Sequence, residues 1–176
     1  MFTIESCPLP ENALLNTYQQ NGAYTDCYCT EISNAVTHSQ YVHAFYSTSV
    51  FKLERSILKW VVSKPSSDEQ VVLLANEETD TFAAWSVESR CENQLLLCDY
   101  QKRTRSWLMT EHVEGENGIR TRLYFGSAVV PIKNTKTGSA SFGLGFHALS
   151  WFHKLYSVVL LFSAKSRLIR CSAYPG

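Results

Sequence analysis

A chain of 176 residues is the size that one hydrophobic core can organise, and Lys+Arg 16 against Asp+Glu 16 leaves a formal net charge of +0. That balance removes any general electrostatic attraction to nucleic acid or to acidic surfaces. Six cysteines, at positions 7, 27, 29, 91, 98 and 171, accompany a first ten residues that hold Glu5 and Pro8 rather than a basic start and an apolar run. Reduced thiols in a cytoplasmic protein are therefore expected. Cys27 and Cys29 fall on one side of any strand through them, but no CxxC or Cys/His cluster supplies two further ligands, so no metal is expected.

Taken in order, residues 1–22 are weakly patterned. Pro8 and Pro10 bracket a turn, and residues 11–20 form a short helix stopped by Asn21-Gly22. Residues 24–32 alternate and are rich in Tyr, Thr and Cys, which predicts the first strand. His38 or Ser39 caps the next element, a helical pattern over residues 42–61 with a soft middle at Ser47-Thr48-Ser49, where hydroxyls compete for backbone bonds and two helices meet at a bend. Lys64-Pro65 ends it. A capping box from Ser66 to Glu69 opens a further helix that buries Val71, Val72, Leu74 and Ala75.

From Phe82 the apolar period changes to two. Residues 82–91, 94–100, 103–113 and 119–130 are four strands whose short connections make them antiparallel neighbours. A two-residue turn at Glu92-Asn93 places Glu88 and Arg90 on the face of Leu95, Leu97 and Asp99, and Trp85 and Val87 on the face of Leu96, Cys98 and Tyr100. Gly126 permits a bulge or strong curvature in the last strand. Pro131 closes the sheet, and residues 134–145 form a connection rich in Ser, Thr and Gly whose glycines match neither a dinucleotide fingerprint nor a phosphate loop. No cofactor is implied.

Residues 144–170 read as a long helix. Leu144, Ala148, Trp151, Leu155, Val158 or Val159 and Phe162 recur at helical spacing, and Phe152, Tyr156 and Leu160 widen the apolar arc to most of the circumference. The nearly apolar run 155–164 is shorter than the roughly 20 residues a bilayer requires. Lys165, Arg167 and Arg170 suit an ordinary helix C-terminus better than an interfacial helix. His147, Ser150, Lys154 and Ser157 mark the expected solvated stripe, with His153 inside the apolar arc.

The clearest polar cluster is Asp99, Arg103, Arg105, Ser106 and Trp107, with Glu88 near it. Such a group could hold an anionic moiety against an apolar wall, or form a turn salt bridge beside a core tryptophan, and the second is the simpler reading. Arg120 and Arg122 could read a phosphate or carboxylate, yet alternate polar residues are normal on a half-exposed strand. Histidines 43, 147 and 153 lie in or near the helices without a recognisable nucleophile or orienting carboxylate, and no HExxH or GxSxG occurs.

Three stretches, residues 95–108 (LLLCDYQKRTRSWL), 121–131 (TRLYFGSAVVP) and 146–161 (FHALSWFHKLYSVVLL), resemble a bacterial domain family of unknown function. That family looks like a member of the START/birch-pollen-allergen-like helix-grip superfamily (SRPBCC), which includes lipid carriers, ligand receptors and aromatase/cyclase enzymes. The resemblance covers about residues 24–168. It implies an α+β helix-grip fold, a curved antiparallel β-sheet packed around a long C-terminal α-helix, in a single domain. Four later strands fall short of the six usual there, so long segments are broken in two or the sheet is reduced.

The resulting expectation is a protein that binds a small hydrophobic or amphipathic molecule between the sheet and the C-terminal helix. Trp85, Trp107, Phe125, Trp151, Phe152 and Tyr156 are the apolar wall, and Asp99, Arg105 and His153 the orienting groups. An alternative is an interaction protein that uses the C-terminal helix or a sheet edge for dimerisation or membrane contact. An enzyme requires Asp99, Glu88 or His153 in a real cavity as acid–base groups.

Overall fold

The computed structural model describes residues 3–52, 67–115, 118–133, 140–141 and 146–173; of these, the side chains of 132–153 and 172–173 lie outside the description. Period-two alternation builds a seven-stranded antiparallel sheet in the order β1-β2-β7-β6-β5-β4-β3. Its strands are β1 (Glu5–Ser6), β2 (Tyr24–Ile32), β3 (Thr81–Phe82), β4 (Trp85–Cys91), β5 (Gln94–Asp99), β6 (Thr104–Gly115) and β7 (Gly118–Val129). A separate ribbon pairs β8 (Ile132–Lys133) with β9 (Ala140–Ser141), the second of which falls inside residues 134–145, expected to be plain connection. The helices are α1 (Asn16–Gln20), α2 (His38–Tyr46), α3 (Asp68–Ala75) and the 28-residue α4 (Phe146–Ala173). The architecture is α+β, with α4 packed against α2, β2 and β7.

Cross-strand rows divide the side chains between two cores. Tyr28, Phe125, Leu108 and Leu95 are successive partners across β2, β7, β6 and β5, and all belong to a large cluster with α2, α3 and α4. One residue along, Cys27, Gly126, Trp107 and Leu96 form the adjacent row on the opposite face, which is covered by Leu9, Ala13, Leu14, Leu15 and Tyr18 of the N-terminal segment. A strand buried on both faces needs apolar residues without alternation, which is why Leu95, Leu96 and Leu97 are consecutive and all buried.

Helix starts follow local side-chain chemistry, displaced by one residue from expectation. Thr37, not His38 or Ser39, caps α2: its hydroxyl accepts from Gln40 N while the Gln40 side chain accepts from Thr37 N. Ser67 and Gln70 make the equivalent box for α3, in place of Ser66 and Glu69. The bend expected at Ser47-Thr48 is present: Ser47 Oγ donates to His43 O, Thr48 Oγ1 donates to Phe45 O and accepts from Phe51 N, and helix resumes at residues 49–52. The expected helix over residues 53–61 and its Lys64-Pro65 stop lie outside the described residues.

Two strand expectations are corrected. Residues 82–91 are not one strand, because Ala83 adopts φ 53 and breaks the segment into β3 and β4. Gly126 makes no bulge, since the β7 register runs without a break against both β2 and β6. Its role is steric: a Cβ there would lie 2.9 Å from Asp26 O, 2.9 Å from Trp107 Cε3 and 3.0 Å from Leu15 Cδ2. The missing side chain lets the tryptophan and the N-terminal segment close over the sheet.

Gly126→Ala is expected to lower the urea unfolding free energy by about 1–3 kcal/mol, as overpacking does in a filled core; an unchanged midpoint contradicts this role.

His38, the first residue of α2, has its pKa lowered to about 4, first by burial and then by the Arg90 charge, against a contact with the Leu108 backbone that raises it. A neutral histidine in the fold that charges when unfolded stabilises fully above its unfolded value of 6.5, and that contribution is lost as pH falls toward 4. Chemical denaturation at pH 7 and pH 5 is expected to show a smaller acid loss for His38→Gln than for the parent.

Candidate ligand pocket between the sheet and the C-terminal helix

A one-residue irregularity in β4 builds the pocket. The turn at Glu92-Asn93 is two residues long as expected, with Cys91 opposite Gln94 and Arg90 opposite Leu95. Between Ser89 and Val87 the register shifts by one, so Val87 pairs with Leu97 and Trp85 with Asp99. Glu88 is the extra residue. This reverses the expected facing of Trp85 and Val87, which join the helix-side core rather than the face of Leu96 and Cys98.

The resulting cavity, about 250 Å³, lies between β4–β7, α2 and α4. Phe45, Phe51, Trp85, Phe125, Tyr156 and Leu160 supply apolar wall, and Ala84 is a small, buried residue of the lining. Polar groups gather on the sheet side. Ser106 Oγ lies 3.1 Å from the Tyr46 hydroxyl, and Ser127 Oγ donates to Asp26 Oδ1 at 2.5 Å. Both serines are buried and both line the cavity. Trp85 Nε1 is buried with no hydrogen-bond partner among the described residues.

Of the nine residues expected at a ligand site, Trp85, Asp99, Arg105, Phe125 and Tyr156 line this cavity. The side chains of Trp151, Phe152 and His153 lie outside the description, although their backbone belongs to α4. Trp107 is elsewhere. It belongs to the core on the other face, fully buried, with Nε1 donating to Gln94 Oε1 at 2.8 Å.

The two candidate orienting groups have structural partners. Asp99 Oδ1 accepts from Arg103 N at 2.7 Å and Thr104 N at 3.1 Å, closing the β5–β6 turn in which Lys102 has φ 58. Arg105 donates from Nε to Glu88 Oε2 at 3.0 Å and from Nη1 to Lys102 O, and its guanidinium stacks 4.5 Å from the Tyr18 ring centroid. Tyr18 in turn donates its hydroxyl to Glu88, and its pKa is pushed up to about 12, chiefly by burial. The expected turn salt bridge is therefore a triad that fastens α1 to the bulge. Tyr18 was invisible as a member because it is 70 residues from Glu88.

Arg120 and Arg122 likewise have carboxylate partners. Both reach Glu31, at 3.1 and 2.7 Å, and Arg122 also lies 3.6 Å from Glu111, which accepts from the Tyr124 hydroxyl. The thiols of Cys7 and Cys27 sit 3.5 Å apart, and the Cys7 pKa is raised by its hydrogen bond to Cys27 and by burial. Burial also pushes Cys29 up to about 12. Among the described residues no group of three or more His, Cys, Asp or Glu could hold a metal ion.

Ser106 belongs to the polar cluster expected from the sequence, whereas Ser127, Phe45, Phe51 and Leu160 are not among the expected site residues. The alternation of β6 and β7 carries the signal for the serines: each sits where an apolar inward residue is expected, and a hydroxyl there marks either a partner or a polar ligand.

Replacing Arg105 by Leu removes the ion pair, the carbonyl bond and the stacking contact together, so a loss of about 1–3 kcal/mol in urea unfolding is expected. A double-mutant cycle with Glu88→Gln is expected to give a coupling of at least about 0.5 kcal/mol; additive losses contradict the triad.

Comparison with known proteins returns no match, whether to a protein-family model, a curated protein or a solved structure.

Proposed function

We propose that the protein binds one small amphipathic molecule in the cavity between the sheet and α4, in a helix-grip arrangement of the kind its sequence resembles. The observation that carries this reading is the one-sided polarity of the cavity: aromatic and aliphatic walls from α2, α4 and β4 face a pair of buried hydroxyls on β6 and β7. An apolar body against Phe45, Phe125, Tyr156 and Leu160 leaves a hydroxyl, carbonyl or amide of the ligand directed at Ser106 and Ser127. At about 250 Å³ the space lies just under the usual range of roughly 300–1,000 Å³ for ligand pockets, which favours a compact ring system over a long acyl chain. Asp99 and Arg105 contribute by holding the rim, through the turn and the Glu88 bridge, rather than as charges offered to the ligand.

Native mass spectrometry of gently purified protein, followed by denaturing extraction, is expected to reveal one retained small molecule. Ala84→Phe, which adds a ring to the lining of the cavity, is expected to abolish retention while the far-UV spectrum stays unchanged. A clean apo mass for the parent, joined to an Ala84→Phe variant that is simply more stable, identifies the space as a packing void and sinks the proposal.

A further inference from the structure

The outer face of α4 is apolar and, among the described residues, uncovered. Leu155, Val159, Phe162 and Ile169 are exposed, Phe162 by 57% and Leu155 by 51%. Their spacing of four, three and seven residues keeps them within an arc of about 80° at 3.6 residues per turn. Lys154 and Lys165 lie on one flank of this stripe, Lys154 exposed and Lys165 half-buried with its Nζ donating to Thr30 Oγ1 at 2.9 Å, Arg170 and Arg167 lie on the other, and residues 146–173 contain no Asp or Glu. The expected solvated stripe lies differently: Ser157, one of its members, is fully buried.

Beside the stripe runs a groove of about 920 Å³ between α4, the end of β2 and the N-terminal residues. Ile4, Ile32, Val158 and Phe162 are among its apolar walls. Its acidic lining residue, Glu31, is already neutralised by Arg120 and Arg122.

We infer that this face of α4 docks on an anionic lipid surface, with the Leu155–Ile169 stripe in the acyl–headgroup boundary and the flanking lysines and arginines against lipid phosphates and carboxylates. Charge complementarity selects that occupant. A second copy packed stripe to stripe, antiparallel, sets each basic flank against the same flank of the other helix, Lys154 toward Lys165, with no acidic residue on α4 to relieve the repulsion. A zwitterionic surface leaves the basic flanks unrewarded. No described helix is long and apolar enough to cross a membrane, so the contact is with one leaflet, the helix lying along it. The proposal is independent of whether the internal cavity holds a ligand.

The test is flotation of the full chain with vesicles of phosphatidylcholine alone and of phosphatidylcholine with phosphatidylserine. Expected is binding to the serine-containing vesicles only, weakened by salt. Phe162→Glu and the pair Lys154→Glu with Arg170→Glu, all at exposed positions, are each expected to weaken it about tenfold while far-UV circular dichroism stays at the parent spectrum. No binding to either vesicle overturns the inference, as does equal binding to both. A concentration-dependent dimer in sedimentation equilibrium, dissolved by Phe162→Glu, also overturns it and assigns the stripe to a second copy.

Discussion

One buried amide holds the two-faced sheet together. Gln94 is 2% exposed, and its Oε1 accepts from Leu14 N at 2.9 Å and from Trp107 Nε1 at 2.8 Å while its Nε2 donates to Asn12 O at 3.0 Å. Turns within the N-terminal segment satisfy Ala13 N and Asn16 N locally, but Leu14 N and Asn12 O turn to the sheet, and a buried unsatisfied amide costs about 1–3 kcal/mol. Gln94 satisfies two of those groups and the indole at once. With the segment fixed, Leu15 and Ala13 cover Trp107, and the space above Gly126 is filled. Removal of that cover would expose a tryptophan row on the back of β5–β7, and the strands could no longer be apolar on both faces.

Burial of the back face is also what gives the front face its shape. Because α1 is tied through Tyr18 to Glu88, and Glu88 to Arg105, the extra residue of β4 is drawn to the back of the sheet. Trp85 and Val87 are then on the front, among the residues that pack with α2 and α4. A regular β4 would instead face Glu88 and Ser86 toward that core, where a carboxylate would be desolvated without a partner. The bulge and the salt bridge are thus a single device, and the cavity wall at Trp85 is its consequence.

Much of this was legible in the sequence where the signal is local. Tyr24–Ile32 is the strand that alternation predicts, residue for residue, and β5, β6, β7 and the long terminal helix lie within a few residues of where periodicity places them, whereas residues 82–91 divide into β3 and β4 at Ala83. The capping box of α3 was legible as a pattern and ambiguous as a position, since Ser66 and Ser67 each precede a suitable partner by three residues, while the Thr37–Gln40 box of α2 was not read. What escaped is non-local. The bulge at Glu88 is decided by Arg105 and Tyr18, which are 17 and 70 residues away. The placement of Trp107 is decided by Gln94 and the N-terminal segment, so an aromatic that periodicity alone could assign to either face was assigned to the wrong one. Gly126 was read through backbone freedom, although the constraint there is the volume of a neighbouring ring.

The terminal helix shows how a nearly all-round apolar pattern can divide among three environments. Its inner face is made by Ser157, Leu160, Leu161, Ala164 and Leu168, all buried. Ser157 and Ala164 are 0% exposed and seven residues apart, and such small side chains set a short distance between a helix and what it packs on. Rotation of α4 to bury Leu155 and Phe162 would bring large residues to that narrow contact and carry the small ones outward, losing the close approach to α2 and β2. Tyr156 and Leu160 border the cavity, where full contact with neighbours is not required. The remaining stripe is left over by both demands. Its apolar character therefore does not follow from packing among the described residues: the positions are exposed, flanked by basic residues, and their being Leu, Val, Phe and Ile is what the proposed lipid contact uses.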